Sequence, residues 1–394
     1  MRIRDIKLKE DRNYVILSAA CKLRSFGEDE IYFKFEKKYK DFIAIDATPF
    51  AAVMLVPAMK RGEDLYIEGS ISREFYNGLQ KIMKKLVSWN IGLRKIKILP
   101  QEITEDNYKS TKVASLFSGG VDSFFTYLKN KEEKNKIDYL ILINGYDIRL
   151  SSKKQWKLTL QTVRDIAKIE KIEVIQVESN LYELIDPVIN WDYACGGCLA
   201  AVMLALRKQL KRVYFPSSYR IDQVFPAGAH PEIDELWSTE TLKIVHHGKE
   251  YSRVDKTKYI GKDKLAQDYL RVCYKNLFGK LNCGKCDKCI RTMIGLKVAG
   301  TLHLSKTFPH EVTIEKITHM NKMVEFGAIF QRENLAELEK TGKDKELISA
   351  LRKSLENVIP LEIAVNEPFS RKVLYFDHVY LFGLTRKLIR VLRS

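Results

Sequence analysis

Two groups of residues in this chain have the types and spacing of a site that could do chemistry. The first is Ser118-Gly119-Gly120-Val121-Asp122-Ser123, which follows the apolar run Val113 to Phe117 and leads into a helical pattern. The run has the length and the β-branched and aromatic character of a buried parallel strand, and Ser-Gly-Gly lets the chain turn sharply without a Cβ penalty. In a strand-turn-helix of this kind the N–H groups of Gly119, Gly120 and the first helical turn, Val121 included, converge where the helix dipole favours negative charge. That is a cradle for phosphate. Ser118 and Ser123 can each donate a hydroxyl to an oxyanion, and Asp122 is suited to hold a magnesium ion. The plainer alternative is a strand-turn-helix corner with a serine N-cap.

The second group is Cys273, Cys283, Cys286 and Cys289, spaced C-x9-C-x2-C-x2-C. Three thiolates from one tight turn can face a single ion while Cys273 closes a tetrahedron from a preceding segment, with no position left open, as in structural zinc sites. Lys285 and Lys288 would partly offset the negative charge of such a centre. An iron-sulfur cluster also uses four thiolates and stays open as the rival. A further pair, Cys195 and Cys198, flanks Gly196-Gly197 near an expected helix start, where a lowered thiol pKa would suit redox or metal chemistry. The alternative is that the glycines make a tight turn and the two thiols only pack.

These groups need a scaffold. From residue 112 short apolar runs alternate with helical periods: strands at Val113 to Phe117, Ile137 to Ile143, Glu173 to Val177 and Arg212 to Phe215, helices at Ser123 to Lys129, Lys157 to Lys168 and Leu199 to Leu210. Such alternation predicts an α/β fold with a doubly wound parallel sheet, whose ligands lie beyond the carboxyl ends of the strands. Four loops are selected by that rule. They are Ser118 to Asp122, Asn144 to Ile148 with amides of Asn144 and Gly145 in reach of a purine edge, Asp192 to Cys198, and Pro216 to His230. The last carries Tyr219 and His230 with Glu232 and Asp234 just beyond, groups that could orient a substrate.

Residues 1–105 read as an α+β domain of their own, with strands at Asn13 to Cys21, Ile31 to Phe35, Leu65 to Glu68 and Lys95 to Leu99, and helices at Ala47 to Met59 and Ser72 to Trp89. The polar stretch Pro100 to Lys112 reads as a linker, so 112–300 is expected to form the catalytic domain. Residues 301–394 read as a helical extension, with helices at Val312 to Phe326, Glu333 to Glu339, Asp344 to Asn357 and Val379 to Leu392; His303, His310, His319 and His378 have no metal-ligand spacing. At 394 residues with 45% hydrophobic content the chain can bury a sizeable core. It has no apolar run of eighteen residues and its start lacks the apolar segment of a signal peptide, so no membrane span and a cytoplasmic location are expected. In a reducing compartment seven cysteines point to metal or redox chemistry rather than disulfides. The formal charge of +17 suits an anionic partner, or equally the solvated faces of a lysine-rich protein.

SGGVDS resembles the SGGxDS signature of the ATP-pyrophosphatase (PP-loop) superfamily; no Gly-Lys-Ser/Thr follows, so it is not a Walker A loop. The resemblance implies a HUP-like sheet, Mg2+, and ATP cleaved between its α and β phosphates to give an adenylylated substrate and pyrophosphate. From Val113 to about Gly300 the chain also resembles the 7-cyano-7-deazaguanine synthase family. The matching features are a Gly145-Tyr146-Asp147 loop, the Gly196-Gly197 helix entry, His230-Pro231-Glu232 in the place of the substrate loop, Cys273-Tyr274, the Cys283-Gly284-Lys285-Cys286-Asp287-Lys288-Cys289 knuckle and Arg291. Membership implies adenylylation of a 7-carboxy-7-deazaguanine and attack by an amine, with Gly196, Gly197, Tyr219, His230 and Glu232 about the substrate and Ser118, Asp122 and Ser123 at the reacting phosphates. With added segments at both ends the chain looks like the synthase-like proteins of bacterial antiphage islands, which implies a protein amine as acceptor or a defence-complex partner. Two alternatives stand beside it: a tRNA sulfurtransferase using Cys195 and Cys198, and a nucleotide-binding subunit without catalysis.

Overall fold

The computed structural model describes residues 1–23, 27–275, 279–318, 325–356 and 358–359. The first part of the chain forms β1 (Arg2–Glu10), β2 (Tyr14–Cys21), β3 (Asp29–Glu36), α1 (Thr48–Arg61), β4 (Leu65–Ser72), α2 (Arg73–Ser88) and β5 (Ile98–Thr104). There follow β6 (Lys112–Leu116), α3 (Val121–Glu132), β7 (Tyr139–Asn144), α4 (Lys153–Glu170), β8 (Glu173–Ser179), α5 (Leu181–Ile185), α6 (Trp191–Ala205), β9 (Leu210–Pro216) and β10 (Lys243–His247). The helices α7 (Arg253–Ile260), α8 (Lys264–Tyr269), α9 (Asp287–Val298), α10 (Ile314–Thr318), α11 (Glu325–Thr341) and α12 (Lys345–Leu355) complete the described chain.

All ten strands lie in one sheet, in the order β10-β9-β6-β7-β8-β3-β2-β1-β4-β5. The five from β10 to β8 are parallel throughout, and the strand order reverses between β6 and β9. Helices cover both faces here, which is why β7, Tyr-Leu-Ile-Leu-Ile-Asn, is apolar nearly end to end instead of alternating. The fold is thus α/β with a mostly parallel sheet.

The first hundred residues do not stand apart from this sheet. β3 pairs antiparallel with β8, through Phe33↔Ser179 and Phe35↔Val177, and β2, β1, β4 and β5 continue outward from it. One apolar core runs from Phe33, Phe35 and α1 to Ala200–Ala205 of α6, Leu206, Val213 and Ile244. Arg207, 1% exposed, ties the halves by donating to Asp106 (Nε to Oδ2, 2.7 Å) and to Asp46. Burial alone would lower its pKa, but the two carboxylates hold it raised. The boundary drawn near residue 105 therefore falls within one sheet and one core. Pro100–Lys112 is likewise only partly a linker, since β5 extends to Thr104.

Other differences have local causes. β1 was not expected, because Arg-Ile-Arg-Asp-Ile-Lys-Leu-Lys-Glu buries only Ile3 fully while charged neighbours face water. β10 was not expected either, being five residues long with two histidines. α6 begins at Trp191, where Asn190 caps it by accepting from Asp192 N–H at 3.0 Å, well before the anticipated start at Leu199. On the opposite face α3, α4, α7, α8 and α9 enclose a second core. α10, α11 and α12 bury Ile317, Leu338, Leu347 and Leu351 against Ile290 and Ile294 of α9, so the described part of the C-terminal extension is helical and packed on the rest. The expected helix Val379 to Leu392, with His319 and His378, lies outside the described residues. No helix among the described residues is long and apolar enough to cross a membrane.

Candidate active site at the switch point of the sheet

In doubly wound sheets the ligand crevice lies beyond the strand carboxyl ends where the order reverses. Here that point lies between β6 and β9, and the segments that follow them are Phe117–Gly120 and Ser217–Arg220. Gly119 turns at φ +76°, and Gly120, extended at φ −84° and ψ 173°, is the N-cap of α3. Among the described residues the N–H groups of Gly119 to Ser123 donate no hydrogen bond, so the first turn of α3 presents them to the crevice. Ser118 and Ser123 sit on the same turn, with Ser123 Oγ donating to Gly120 O at 3.0 Å.

Asp122 is the acidic centre of a cationic shell. Its Oδ2 is 3.0 Å from Arg253 Nη2 and accepts from Ser218 Oγ at 3.4 Å across the switch point, while its Oδ1 lies 3.8 Å from Lys256 Nζ. Lys256 is fully buried and donates to Ser217 O at 2.6 Å; burial pushes its pKa down to about 8, only partly countered by Asp122. Arg291 is driven down to about 10, first by desolvation and then by the neighbouring Arg253. Both guanidinium groups rest on the Phe330 ring of α11, 4.4 Å and 4.9 Å from its centroid, and Tyr219 stacks on that ring at 4.8 Å. Three cations thus surround one carboxylate, Asp122, and two of them are held in place by an aromatic face, an arrangement with positive charge to spare for an anion.

A cavity of about 1210 Å³ opens over these residues. Its floor is the ends of β6, β7 and β9; its walls include Trp191, Tyr193 and Cys195 of α6, Tyr219, Arg253, Arg271, Arg291 and Phe330, with Lys275, Lys285 and Lys288 also lining it. One volume thus adjoins the glycine turn, Arg253, Arg271, Arg291 and a set of aromatic rings, while Lys256 is buried beside Asp122 and does not line it.

Two of the four cysteines, Cys273 and Cys286, line the same cavity. All four sulfurs lie within 4.8 Å of one another, a cluster compatible with structural zinc. The turn at Gly284, φ +65°, lets the N–H groups of Lys285 and Cys286 donate to Cys283 Sγ at 3.4 Å and 3.3 Å, as expected of a ligating thiolate. Hydrogen bonding with Cys289 holds the Cys286 thiol below its ordinary value. Asn282 fixes Cys273 by accepting from the N–H groups of Val272 and Cys273 and donating to Leu270 O. Arg271 N–H donates to Gly119 O at 2.8 Å, so the knuckle is bonded directly to the glycine turn.

Several expected site residues are placed elsewhere. Asn144 is buried and donates to Glu178, while Gly145 N–H is used by Ile148 O at 2.8 Å, so the amide of Gly145 does not reach out to a purine. Gly145 is needed for packing, since a Cβ at its φ of +97° would lie 1.9 Å from Ser179 O. The cavity edge in this loop is instead Tyr146, Asp147 and Ile148. Gly196 and Gly197 lie inside α6, not in a turn, and allow close contact with Gly228 and Ala52 of α1; a Cβ there would lie 1.8 Å and 2.5 Å from their carbonyl oxygens. Burial raises the thiols of Cys195 and Cys198, so the lowered pKa expected at a helix start is reversed. Of these two thiols, Cys195 lines the cavity and Cys198 does not. His230 turns away against Trp89 at 5.0 Å, its Nδ1 accepting from Glu232 N–H, with its pKa lowered to about 4 by desolvation. Glu232 pairs with Lys85 outside the cavity.

Sequence reasoning missed Lys256 and Arg253 of α7 and Phe330 of α11, helices with no local signal of a site. It also missed His246, on β10, whose Nδ1 lies 2.6 Å from Oδ2 of the fully buried Asp234. No family model matches the chain, and neither a curated protein nor a solved structure matches it.

Proposed function

We propose that this chain is an ATP-dependent enzyme that activates a 7-carboxy-7-deazaguanine-type carboxylate as its adenylate, releases pyrophosphate, and passes the acyl group to an amine, of a partner protein or of ammonia. The observation that carries the reading is the meeting, at one switch point, of the Ser118–Ser123 turn with its undonated N–H groups, the Asp122 carboxylate and the cations Arg253, Lys256, Arg271 and Arg291. A polyanion whose departing part is pyrophosphate fits that set. The turn N–H groups and the two serine hydroxyls bind the leaving phosphates, and Arg253 and Arg291 stabilise charge that grows at the α-phosphate.

Asp122 Oδ1 is buried and has no hydrogen-bond partner among the described residues, which fits a carboxylate that ligates a metal ion. Bound Mg2+ would supply charge neutralisation at the phosphates. The aromatic walls, Trp191, Tyr193 and Tyr219, suit a flat heteroaromatic acid beside the nucleotide. Positive side chains at Lys275, Lys285 and Lys288 suit an acidic approach surface on a protein acceptor.

The test is exchange of labelled pyrophosphate into ATP. Exchange that requires 7-carboxy-7-deazaguanine and is lost in Asp122→Ala is expected. No exchange with any deazaguanine carboxylate, in protein that carries its metal, refutes the proposal.

A further inference from the structure

The amine that attacks an acyl adenylate must shed protons, and no residue above is assigned to take them. His246 can. It is 6% exposed and lines the cavity from β10, two strands from β6, about 10 Å across the sheet at normal strand spacing. The histidine and the glycine turn thus line the same cavity at different strands of the sheet. Its Nδ1 is 2.6 Å from Asp234 Oδ2, and the other carboxylate oxygen accepts from His230 N–H at 3.1 Å. Asp234, fully buried in the turn Asp234–Trp237, is therefore held from both sides and fixes the proton on Nδ1. The remaining nitrogen, Nε2, is buried and has no hydrogen-bond partner among the described residues. A buried unpartnered ring nitrogen costs stability unless something else uses it.

We propose that His246 is the general base of the transfer step and that Asp234 is its positioning residue. The inference rests on the adenylation reading above. An amine arrives as its ammonium ion; Nε2 accepts one proton as the nitrogen lone pair forms the C–N bond to the acyl carbon. The C–O bond to AMP then breaks, its electron pair leaves with AMP, and the second N–H proton passes to water.

The test uses the full chain with ATP, Mg2+ and 7-carboxy-7-deazaguanine, and reads three things: pyrophosphate exchange, amide formed from ammonium, and hydroxamate formed from hydroxylamine. Hydroxylamine is mostly unprotonated at neutral pH and needs no base. In His246→Gln, amide formation is expected to fall about 10²–10⁴-fold, while exchange and hydroxamate formation persist. His246→Asn, whose amide can still donate to Asp234, guards against misfolding and is expected to behave alike. Asp234→Asn should shift the ratio of amide to hydroxamate in the same direction. Amide formation within about tenfold of wild type, or equal loss of amide and hydroxamate with exchange intact, overturns the assignment of His246. Absence of exchange in the wild-type chain overturns the adenylation reading itself, and the inference with it.

Discussion

Replacing Lys256 by Met should make the protein more stable at neutral pH and worse at holding pyrophosphate. Lys256 Nζ is fully buried, and desolvation lowers its pKa from 10.5 to about 8 despite Asp122 at 3.8 Å. Keeping the charge there costs about 3 kcal/mol. Met removes that cost but forfeits the hydrogen bond to Ser217 O, about 1 kcal/mol. The net gain at pH 7 is about 2 kcal/mol. Between pH 8 and 10.5 the unfolded chain holds this proton and the folded chain does not, so wild-type stability rises through that window relative to the variant. The advantage of Lys256→Met should shrink there and reverse once the lysine is neutral in both states. Urea unfolding of both proteins at pH 7 and above pH 10 measures the difference, and stabilisation by added pyrophosphate measures the ligand effect. A variant less stable than wild type by about 1 kcal/mol or more at pH 7, or one stabilised by pyrophosphate as strongly as wild type, would refute this view of a cation held for an anion.

Gly196→Ala should lower stability by about 1–3 kcal/mol, because its Cβ would sit 1.8 Å from Gly228 O and force α6 away from the loop; an unchanged melting temperature would contradict that packing. Metal analysis should find one zinc per chain, and Cys286→Ser should lose it and weaken pyrophosphate binding as well, since Arg271 N–H links the knuckle to Gly119 O; iron in place of zinc would identify the rival cluster. Arg207→Ala should cost about 3–5 kcal/mol by leaving Asp46 and Asp106 without their buried partner, and the protein should still unfold in one transition; two separate transitions would restore an independent unit near residue 105.

What could be read in the sequence was what local chemistry writes locally. SGGVDS between an apolar run and a helix places the turn because the turn residues, the strand and the cap are contiguous. Cys283, Cys286 and Cys289 announce one cluster by spacing, and Cys273 joins them at a distance that Asn282 bridges. The cations could not be read that way. Arg253 and Lys256 lie more than a hundred residues after Asp122, on a helix whose pattern is equally that of a solvated face, and only the docking of α7 on α3 brings them together. Cys195-Gly-Gly-Cys198 misled for a related reason: glycine in a helix interior is disfavoured by propensity, and the contacts with Gly228 and Ala52 that override it are tertiary. His230 attracted notice because carboxylates stand near it in sequence, yet one of them, Asp234, turns its carboxylate to His246.

The most direct measurement uses 7-carboxy-7-deazaguanine with oxygen-18 in its carboxylate, incubated with the protein, ATP, Mg2+ and an amine acceptor. Attack of the carboxylate on the α-phosphate requires that AMP acquire one oxygen-18 atom while pyrophosphate acquires none, and that Asp122→Ala abolish the labelled AMP. Unlabelled AMP, or ADP and phosphate in its place, would contradict adenylation at the Ser118–Ser123 turn.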